Sequence, residues 1–289
     1  MTEPRRRMTP PPRPATPSRV PRTGLLDGQV AVVTGAAQGI GAGIARALGY
    51  HGARLVLVDV DADALRATAG EIGPTCAVVP ADVTDPQTAT VTLEAAQRLG
   101  GVDILVNNVG DYRPSGPFAA SAEVDWQRAY ELNFQHVLRM THAVLPGMVA
   151  RRAGVILNVS SVEGVRGIPG NAVYGAMKAA VAGFTASLAV EVGQYGIRVN
   201  CLAPDLTDTP QTPLWSTTDE RYADHVGKWV PVGRFGDPVD HGDAAVFLVS
   251  DQSGFVTGVT LRVDGGTLAA PGWFRRDEQR FTNLPRPLR

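Results

Sequence analysis

The sequence predicts a doubly wound α/β domain, a parallel sheet of seven strands with helices on both faces. Two observations predict it. Short runs rich in valine, isoleucine and leucine recur along residues 25–266, and between them the apolar spacing changes from continuous to every three or four residues. A strand covered on both faces reads as a continuous apolar run, and a helix laid on a sheet reads as one apolar stripe. Strand and helix in strict alternation require parallel pairing, because the helix carries the chain back to the same end of the sheet. Glycine supplies 32 of 289 residues, in keeping with many tight turns between short elements.

Residues 29–34 (Gln-Val-Ala-Val-Val-Thr) are the first predicted strand, and Ile40, Ile44 and Leu48 mark one face of the helix that follows. Residues 54–59 repeat the strand pattern, 61–72 the helix, 76–80 a third strand, 85–99 a helix and 102–107 a fourth strand. Residues 154–160 and 197–202 are strands flanking a long helical stretch, 172–194, and residues 260–263 are a last short strand. With no internal repeat and no second linker, residues 25–266 are expected to be one domain.

The ends differ from this body. Residues 1–24 hold seven prolines and six arginines against a single acid, Glu3. A segment with so few large apolar side chains cannot offset its ordering entropy, and disorder is expected. Arg5-Arg6-Arg7 precedes no apolar stretch, so an export signal is not expected. The tail is net +5, which leaves −6 on the rest of a chain whose formal charge is −1, so the body is no nucleic-acid binder and the tail reads as a solvated arm. Cys76 and Cys201 lie in apolar runs without zinc-motif spacing, and buried free thiols in a reducing compartment are expected. No apolar run approaches the ~18 residues of a membrane span, and a cytoplasmic protein with no membrane partner is expected. The five histidines share no ligand spacing, so no metal is assigned.

The first strand runs into Thr34-Gly35-Ala36-Ala37-Gln38-Gly39-Ile40-Gly41. A glycine-rich turn that opens a helix lets backbone N–H groups and the helix dipole approach a pyrophosphate, which makes Gly35, Gln38, Gly39, Ile40 and Gly41 candidate dinucleotide contacts. Asp59 closes the second strand, where a carboxylate accepts hydrogen bonds from the adenosine ribose and repels a 2′-phosphate. Neither Gln38 nor Val60 brings a compensating cation, so NAD is expected over NADP. Asp82-Val83 ends the third strand and Asn107-Asn108-Val109-Gly110 the fourth, both at the ligand-binding end of the sheet. Singly, each is equally well explained as turn chemistry; with Asp59 they outline an adenosine pocket.

Only two of the 27 basic residues are lysines, Lys178 and Lys228. Tyr174 and Lys178 are four residues apart in an otherwise apolar helix, and therefore share a face. An ammonium beside a phenol favours the phenolate, drawing its pKa from ~10 toward neutrality, as proton transfer requires. Ser160-Ser161 ends the strand before this helix, and either hydroxyl could orient a substrate oxygen.

Together these residues resemble the short-chain dehydrogenase/reductase family, with its Rossmann-like fold, over residues 25–266. The match rests on Thr-Gly-x-x-x-Gly-x-Gly at 34–41, Asn-Asn-x-Gly at 107–110, Asn133, Ser161, and Tyr-x-x-x-Lys at 174–178, in the family's order and spacing. The spacing of the first motif resembles the compact branch. The resemblance implies hydride transfer between a nicotinamide and a secondary alcohol or ketone, with Tyr174 as acid/base, Lys178 lowering its pKa and binding ribose, Ser161 positioning the substrate oxygen and Asn133 holding a relay water. Thr207 and Thr209 resemble the segment that holds the carboxamide. It also implies a homo-oligomer, dimer or tetramer. Two departures stand out: Asp205 replaces a glycine usual after the sixth strand, and Val109 an alanine.

Specificity is expected from residues 111–118, 163–171 and a lid at 205–232, whose Trp215, Tyr222 and Trp229 either line an apolar or alicyclic substrate's site or pack the lid down. Hydroxysteroid-like, cyclic-alcohol and 3-oxoacyl substrates are all compatible. Arg113, Glu163 and Arg166 either contact polar substrate groups or face water, the second being the expectation for each one alone. Residues 267–289 are a C-terminal extension that could reach a neighbouring subunit. A catalytically silent NAD-binding protein using its basic tail is the rival reading, against which Tyr174 and Lys178 both stand.

Overall fold

The computed structural model describes residues 24–219, 223–270, 272, 274–275 and 281–282. The Pro/Arg segment up to residue 23, Tyr222, Trp273 and the arginine-rich end at 285–289 lie outside the described residues.

Seven strands form one parallel sheet in the order β3-β2-β1-β4-β5-β6-β7: β1 Val30–Thr34, β2 Arg54–Asp59, β3 Cys76–Pro80, β4 Ile104–Asn107, β5 Gly154–Val159, β6 Ile197–Pro204 and β7 Thr260–Val263. The helices are α1 Gly39–Tyr50, α2 Ala62–Ile72, α3 Gln87–Arg98, α4 Glu123–Tyr130, α5 His136–Arg151, α6 Ala172–Val192, α7 Leu214–Thr217, α8 Ala223–Trp229 and α9 Pro238–Val249. A two-stranded antiparallel ribbon, β8 Phe274–Arg275 with β9 Phe281–Thr282, follows.

The two-residue period of a strand explains the layers. Ala31 and Val33 of β1 face one core with Ile44, Leu48, Leu65 and Leu248 of α1, α2 and α9. Val30 and Val32 face the other, with Ala95, Met140, Val144 and Val192 of α3, α5 and α6. All of β1 is buried, and each Val or Leu so covered is worth ~1.5–3 kcal/mol, so this strand anchors both halves of the core. Strand order reverses between β1 and β4, which opens a crevice at the carboxyl ends of the strands.

Besides the short helices α7 and α8 within the lid, two longer helical stretches fall outside the sequence expectation. The first, Glu123–Arg151, is α4 and α5 joined by a π-helical turn, Glu131–Gln135. That wider turn breaks the spacing of the apolar stripe, and Pro146 interrupts it again within α5. The second is α9, where His241, Gly242 and Asp243 interrupt the apolar pattern. It begins at Asp237, whose carboxylate accepts from Val239 N at 2.9 Å, while Asp240 pairs with both Arg234 Nη1 and Nη2 at 2.7 Å.

Two further expectations are corrected. Residues Ala172–Tyr195 are, by length and composition, apolar enough to cross a membrane. Here they form the helix that packs on β6 and buries Lys178 against the sheet, but only 28% of the apolar window is buried, so the core contact accounts for one face of it. Cys201 is fully buried, but Cys76 is only half-buried; both are free, and burial raises the pKa of each thiol.

Beneath the crevice, a buried polar ladder sets the register of β4, β5 and α6. Asn107 Nδ2 donates to Asn158 Oδ1 at 2.9 Å and to Thr141 Oγ1 at 3.2 Å, and Asn158 Nδ2 donates to Thr185 Oγ1 at 2.9 Å. A buried amide without these partners would cost ~1–3 kcal/mol, which makes any register in which they miss each other unfavourable.

Candidate active site

The crevice, about 710 Å³, is lined at one end by Gly35, Gln38, Gly39, Ile40, Gly41, Asp59, Asp82 and Val83. Gly35 has φ +66°, and a Cβ at Gly41 would overlap the Gly35 carbonyl, so the turn tolerates no side chain at either position. No side chain caps the first turn of α1, which leaves its N–H groups and the positive end of its dipole facing the crevice. A cradle of this shape fits a dinucleotide pyrophosphate. Asp59 Oδ2 accepts from Ala37 N at 3.0 Å and Oδ1 from Asp61 N at 3.1 Å, and the carboxylate, which lines the crevice, has further acceptor capacity. The nearby arginines are engaged elsewhere: Arg54 donates to Gly28 O, Arg46 pairs with Glu71 and Arg66 with Asp63.

Asp82 Oδ1 accepts from both Thr84 N and Thr84 Oγ1 at 2.8 Å, so this aspartate shapes its turn as well as lining the crevice. The two asparagines divide their work. Asn107 belongs to the buried ladder, whereas Asn108 Nδ2 donates to Thr34 O at 3.0 Å and Gly35 O at 3.3 Å, bracing the glycine turn.

Ser161, Tyr174 and Lys178 come together at the other end of the crevice, and Asn133, fully buried, lies behind Gly110 rather than in the crevice lining. Lys178 is buried and its Nζ donates to Val159 O at 3.0 Å. A Cβ at Gly110 would sit 2.5 Å from that Nζ and 2.9 Å from Asn133 Oδ1, so only glycine leaves room for the ammonium. Asn133 sits in the π turn; its Nδ2 donates to Asp111 O and Ala129 O, and its Oδ1 accepts from Asp111 N at 3.0 Å. The asparagine amide thus fixes the chain leaving β4. His136, one turn further on, is buried and has its pKa pushed down to about 3, chiefly by desolvation; its Nε2 contacts Val109 O at 3.1 Å and supports the crevice floor. Nothing local in the sequence marks His136 as facing Val109.

The two serines are separated by direction. Ser160 is buried and donates to Lys178 O at 2.6 Å, a packing role. Ser161 lines the crevice, accepts from Glu163 N at 3.2 Å and shares a hydrogen bond with the Tyr174 phenol. The electrostatics differ from the expectation. Burial pushes Tyr174 up to about 12, against the opposing Ser161 hydrogen bond, and burial pushes Lys178 down to about 8. Lys178 Nζ is 5.7 Å from the Tyr174 ring centre, so desolvation of the phenol outweighs the ammonium's pull toward phenolate.

The charged residues expected in water are mostly paired. Arg113 Nε and Nη2 grip Asp111 at 2.9 and 2.6 Å, and Arg166 bridges Glu163 and Asp205. Asp205 does not have a positive φ, so its replacement of glycine involves no backbone strain.

Of the lid, Leu206, Thr207, Thr209 and Gln211 line the crevice. Thr207 Oγ1 donates to Asp205 O at 2.6 Å and meets His241 Nε2 at 2.7 Å, and Thr209 Oγ1 accepts from Thr212 N. Trp215 packs edge-on against Phe235, and Trp229 lies against Phe274, so these two aromatics fasten the lid rather than line the site. A side pocket of about 230 Å³ opens next to Tyr174 instead, walled by Tyr112, Pro117, Phe118, Trp126 and Val173. Phe118 and Trp126 stack at 5.4 Å, and Tyr112 meets Tyr174 edge-on. Residues 111–118 were expected to matter for specificity; Trp126, outside that span, reaches the pocket from α4.

A crossover sheet with a glycine cradle at one end and, at the other, a Tyr-x-x-x-Lys pair whose tyrosine opens on the crevice and whose lysine is buried defines a nicotinamide-dependent oxidoreductase. The chain belongs to the short-chain dehydrogenase/reductase family. Residues 35–267 match the family model described as enoyl-(acyl carrier protein) reductase. Oxidoreductase UcpA of Escherichia coli K12 is 39% identical over 254 residues, 84% of this chain and 96% of that protein. The 3-oxoacyl-[acyl-carrier-protein] reductase FabG of Vibrio cholerae is 39% identical over 242 residues, covering 83% of this chain and 98% of the relative. The crystal structure of a 3-ketoacyl-(acyl-carrier-protein) reductase from Brucella melitensis complexed with NADH superposes with a TM-score of 0.76 at 36% identity, over 84% of this chain and 99% of that one.

Proposed function

We propose that this protein is an NAD-dependent reductase/dehydrogenase that interconverts a ketone and a secondary alcohol, with 3-oxoacyl compounds as its first substrate class. The carrying observation is the meeting of Ser161, Tyr174 and Lys178 at one end of a crevice whose other end holds Asp59, with Arg46, Arg54 and Arg66 engaged by other partners. The nicotinamide, when bound, supplies or accepts the hydride. Gly35, Gln38, Gly39, Ile40 and Gly41 hold the pyrophosphate, Asp59 the adenosine ribose, Asp82 and Val83 the adenine side, and Asn108, Gly110, Lys178, Thr207 and Thr209 the nicotinamide half.

Ser161 Oγ donates a hydrogen bond to the substrate oxygen and holds it beside Tyr174. Tyr174 Oη gives its proton to that oxygen on reduction and removes it on oxidation. A phenol held near 12 keeps this proton through neutral pH, which suits the donor role in reduction. Lys178 keeps a positive charge beneath the site below about pH 8, favouring the phenolate that proton donation leaves behind. Asn133 fixes Asp111 and so the wall next to Lys178. The side pocket beside Tyr174 receives the apolar part of the substrate, and the names of the 3-oxoacyl reductase relatives point the same way.

The test is nicotinamide absorbance with NADH or NADPH and acetoacetyl-coenzyme A, beside a panel of cyclic ketones. NADH turnover with the acyl compound is expected, reduced by ~10²–10⁴ in Tyr174→Phe. Full turnover by Tyr174→Phe would reject the mechanism, and preference for NADPH would reject the cofactor assignment. We also propose a homo-oligomer, because Phe247, Phe255 and Val259 are exposed beside the edge strand β7; sedimentation as a monomer would reject this.

A further inference from the structure

We propose that Asp205 is a positioning residue: with Arg166 it clasps the turn carrying Ser161 to the first residues of the lid, and so holds the two walls of the substrate end in register. Its kinetic consequence rests on the reaction proposed above; its structural consequence does not.

The two walls come from different parts of the chain. Ser161 leaves β5 and enters a short 3₁₀ turn, Val162–Gly164, and Arg166 N closes this turn onto Val162 O at 3.1 Å. Arg166 is therefore carried rigidly with Ser161. The opposite wall leaves β6 at Pro204 and continues through Asp205, Leu206 and Thr207 into the lid. Two ties join them directly. One is weak, Ser161 Oγ to Pro204 O at 3.5 Å. The other is the ion pair from Arg166 Nη2 to Asp205 Oδ1 at 2.9 Å.

The carboxylate does more than pair. The Asp205 side chain is only 5% exposed, its second oxygen accepts from Thr267 Oγ1 in the turn after β7, and its main-chain oxygen accepts from Thr207 Oγ1. Arg166 also holds Glu163 Oε1 at 2.8 Å. One side chain thus links the Ser161 turn, the lid's root and the turn that follows the last strand of the large sheet. Glycine at this position would make none of the side-chain contacts, and the backbone conformation does not call for glycine. A charge-assisted bond is stronger than a neutral one, and here its carboxylate is buried while the guanidinium, 34% exposed, stays partly open to water.

The experiment compares Asp205→Asn, Arg166→Gln, the double variant and Asp205→Gly in the full chain, by steady-state reduction of acetoacetyl-coenzyme A with NADH and by hydrogen exchange. Misplacing a catalytic wall by about 1 Å can cost ~10²-fold, so each single variant is expected to lower kcat by about 10-fold or more with KM within about 3-fold, and the double to fall no further than the worse single. Amide exchange is expected to accelerate together in 161–168 and 205–215. Multiplying losses in the double variant, unchanged kcat with only a lower unfolding midpoint, or faster exchange in one segment alone would overturn the clasp. If the wild type shows no turnover with this compound, the exchange measurement decides by itself.

Discussion

Tyr174 and Lys178, one turn apart on α6, are shifted by burial in opposite directions, the phenol up to about 12 and the ammonium down to about 8. Each is hydrogen-bonded to a different partner, Ser161 and Val159. The phenol thus holds its proton through neutral pH in the protein's own field. In the protein without nicotinamide, the difference in phenolate absorbance between wild type and Tyr174→Phe is expected to show no titration below pH ~10. A transition near neutrality would mean that Lys178 controls the phenol after all.

The same burial makes stability depend on pH. Below about pH 8, Lys178 is charged in both the folded and unfolded chains. Between about 8 and its ordinary 10.5, only the unfolded chain keeps that proton, so the folded state gains stability as pH rises through this window. Tyr174 acts in reverse above its ordinary 10.0, where the unfolded chain ionises first and the folded state loses stability. Urea unfolding of wild type and Lys178→Met is expected to show the wild type gaining on the variant by on the order of 2 kcal/mol between pH 8 and 10. A difference independent of pH would refute a depressed Lys178.

Gly110 is predicted to be irreplaceable for steric reasons. An added methyl would meet Lys178 Nζ at 2.5 Å, a buried group anchored to Val159, so it cannot yield as a surface lysine would. Gly110→Ala is expected to cost ~1–3 kcal/mol of stability and most of the activity, measured by urea unfolding and turnover. A fully active variant would show that Lys178 has another place to go.

Cofactor choice is predicted to depend on the charge of Asp59 more than on its shape. Its oxygens also accept from Ala37 N and Asp61 N, so Asp59→Ala would loosen the glycine turn as well as remove the charge. Asp59→Asn keeps an acceptor and is the cleaner test. The ratio of kcat/KM for NADH to that for NADPH is expected to fall by ~10-fold or more, about 1.4 kcal/mol. An unchanged ratio would shift the discrimination to another residue.

What could be read in the sequence follows from the range of the interaction. The buried strands are legible because a run such as Val30 to Val33 is apolar for reasons local to the strand. The cradle and the Tyr174–Lys178 spacing are legible because each is a short segment with its own geometry. Ser160 and Ser161 are not separable locally, since only the packing of β5 on α6 sends one hydroxyl to Lys178 O and leaves the other in the crevice. Arg166 reads as a surface arginine until the fold brings Asp205, 39 residues away, to its guanidinium. The π turn around Asn133 hid its helix by breaking the very spacing that identifies helices.

The C-terminal extension yields the last prediction. A neighbouring subunit is one expected partner of this segment; within the chain, Phe274 and Arg275 touch the lid. Phe274 packs on Trp229 at 5.8 Å between ring centres, and Arg275 Nη2 donates to Pro231 O at 3.2 Å. Trp229 remains 55% exposed, so the contact covers part of the indole and leaves the rest to water. Ending the chain after Ala270 removes both contacts without touching the crevice residues. The emission of Trp229, isolated by comparison with Trp229→Phe, is expected to shift to the red. KM is expected to rise several-fold with kcat nearly unchanged, as when binding is lost equally from ground and transition states. If emission and KM stay the same while the oligomer dissociates, the extension serves the neighbouring subunit rather than the lid.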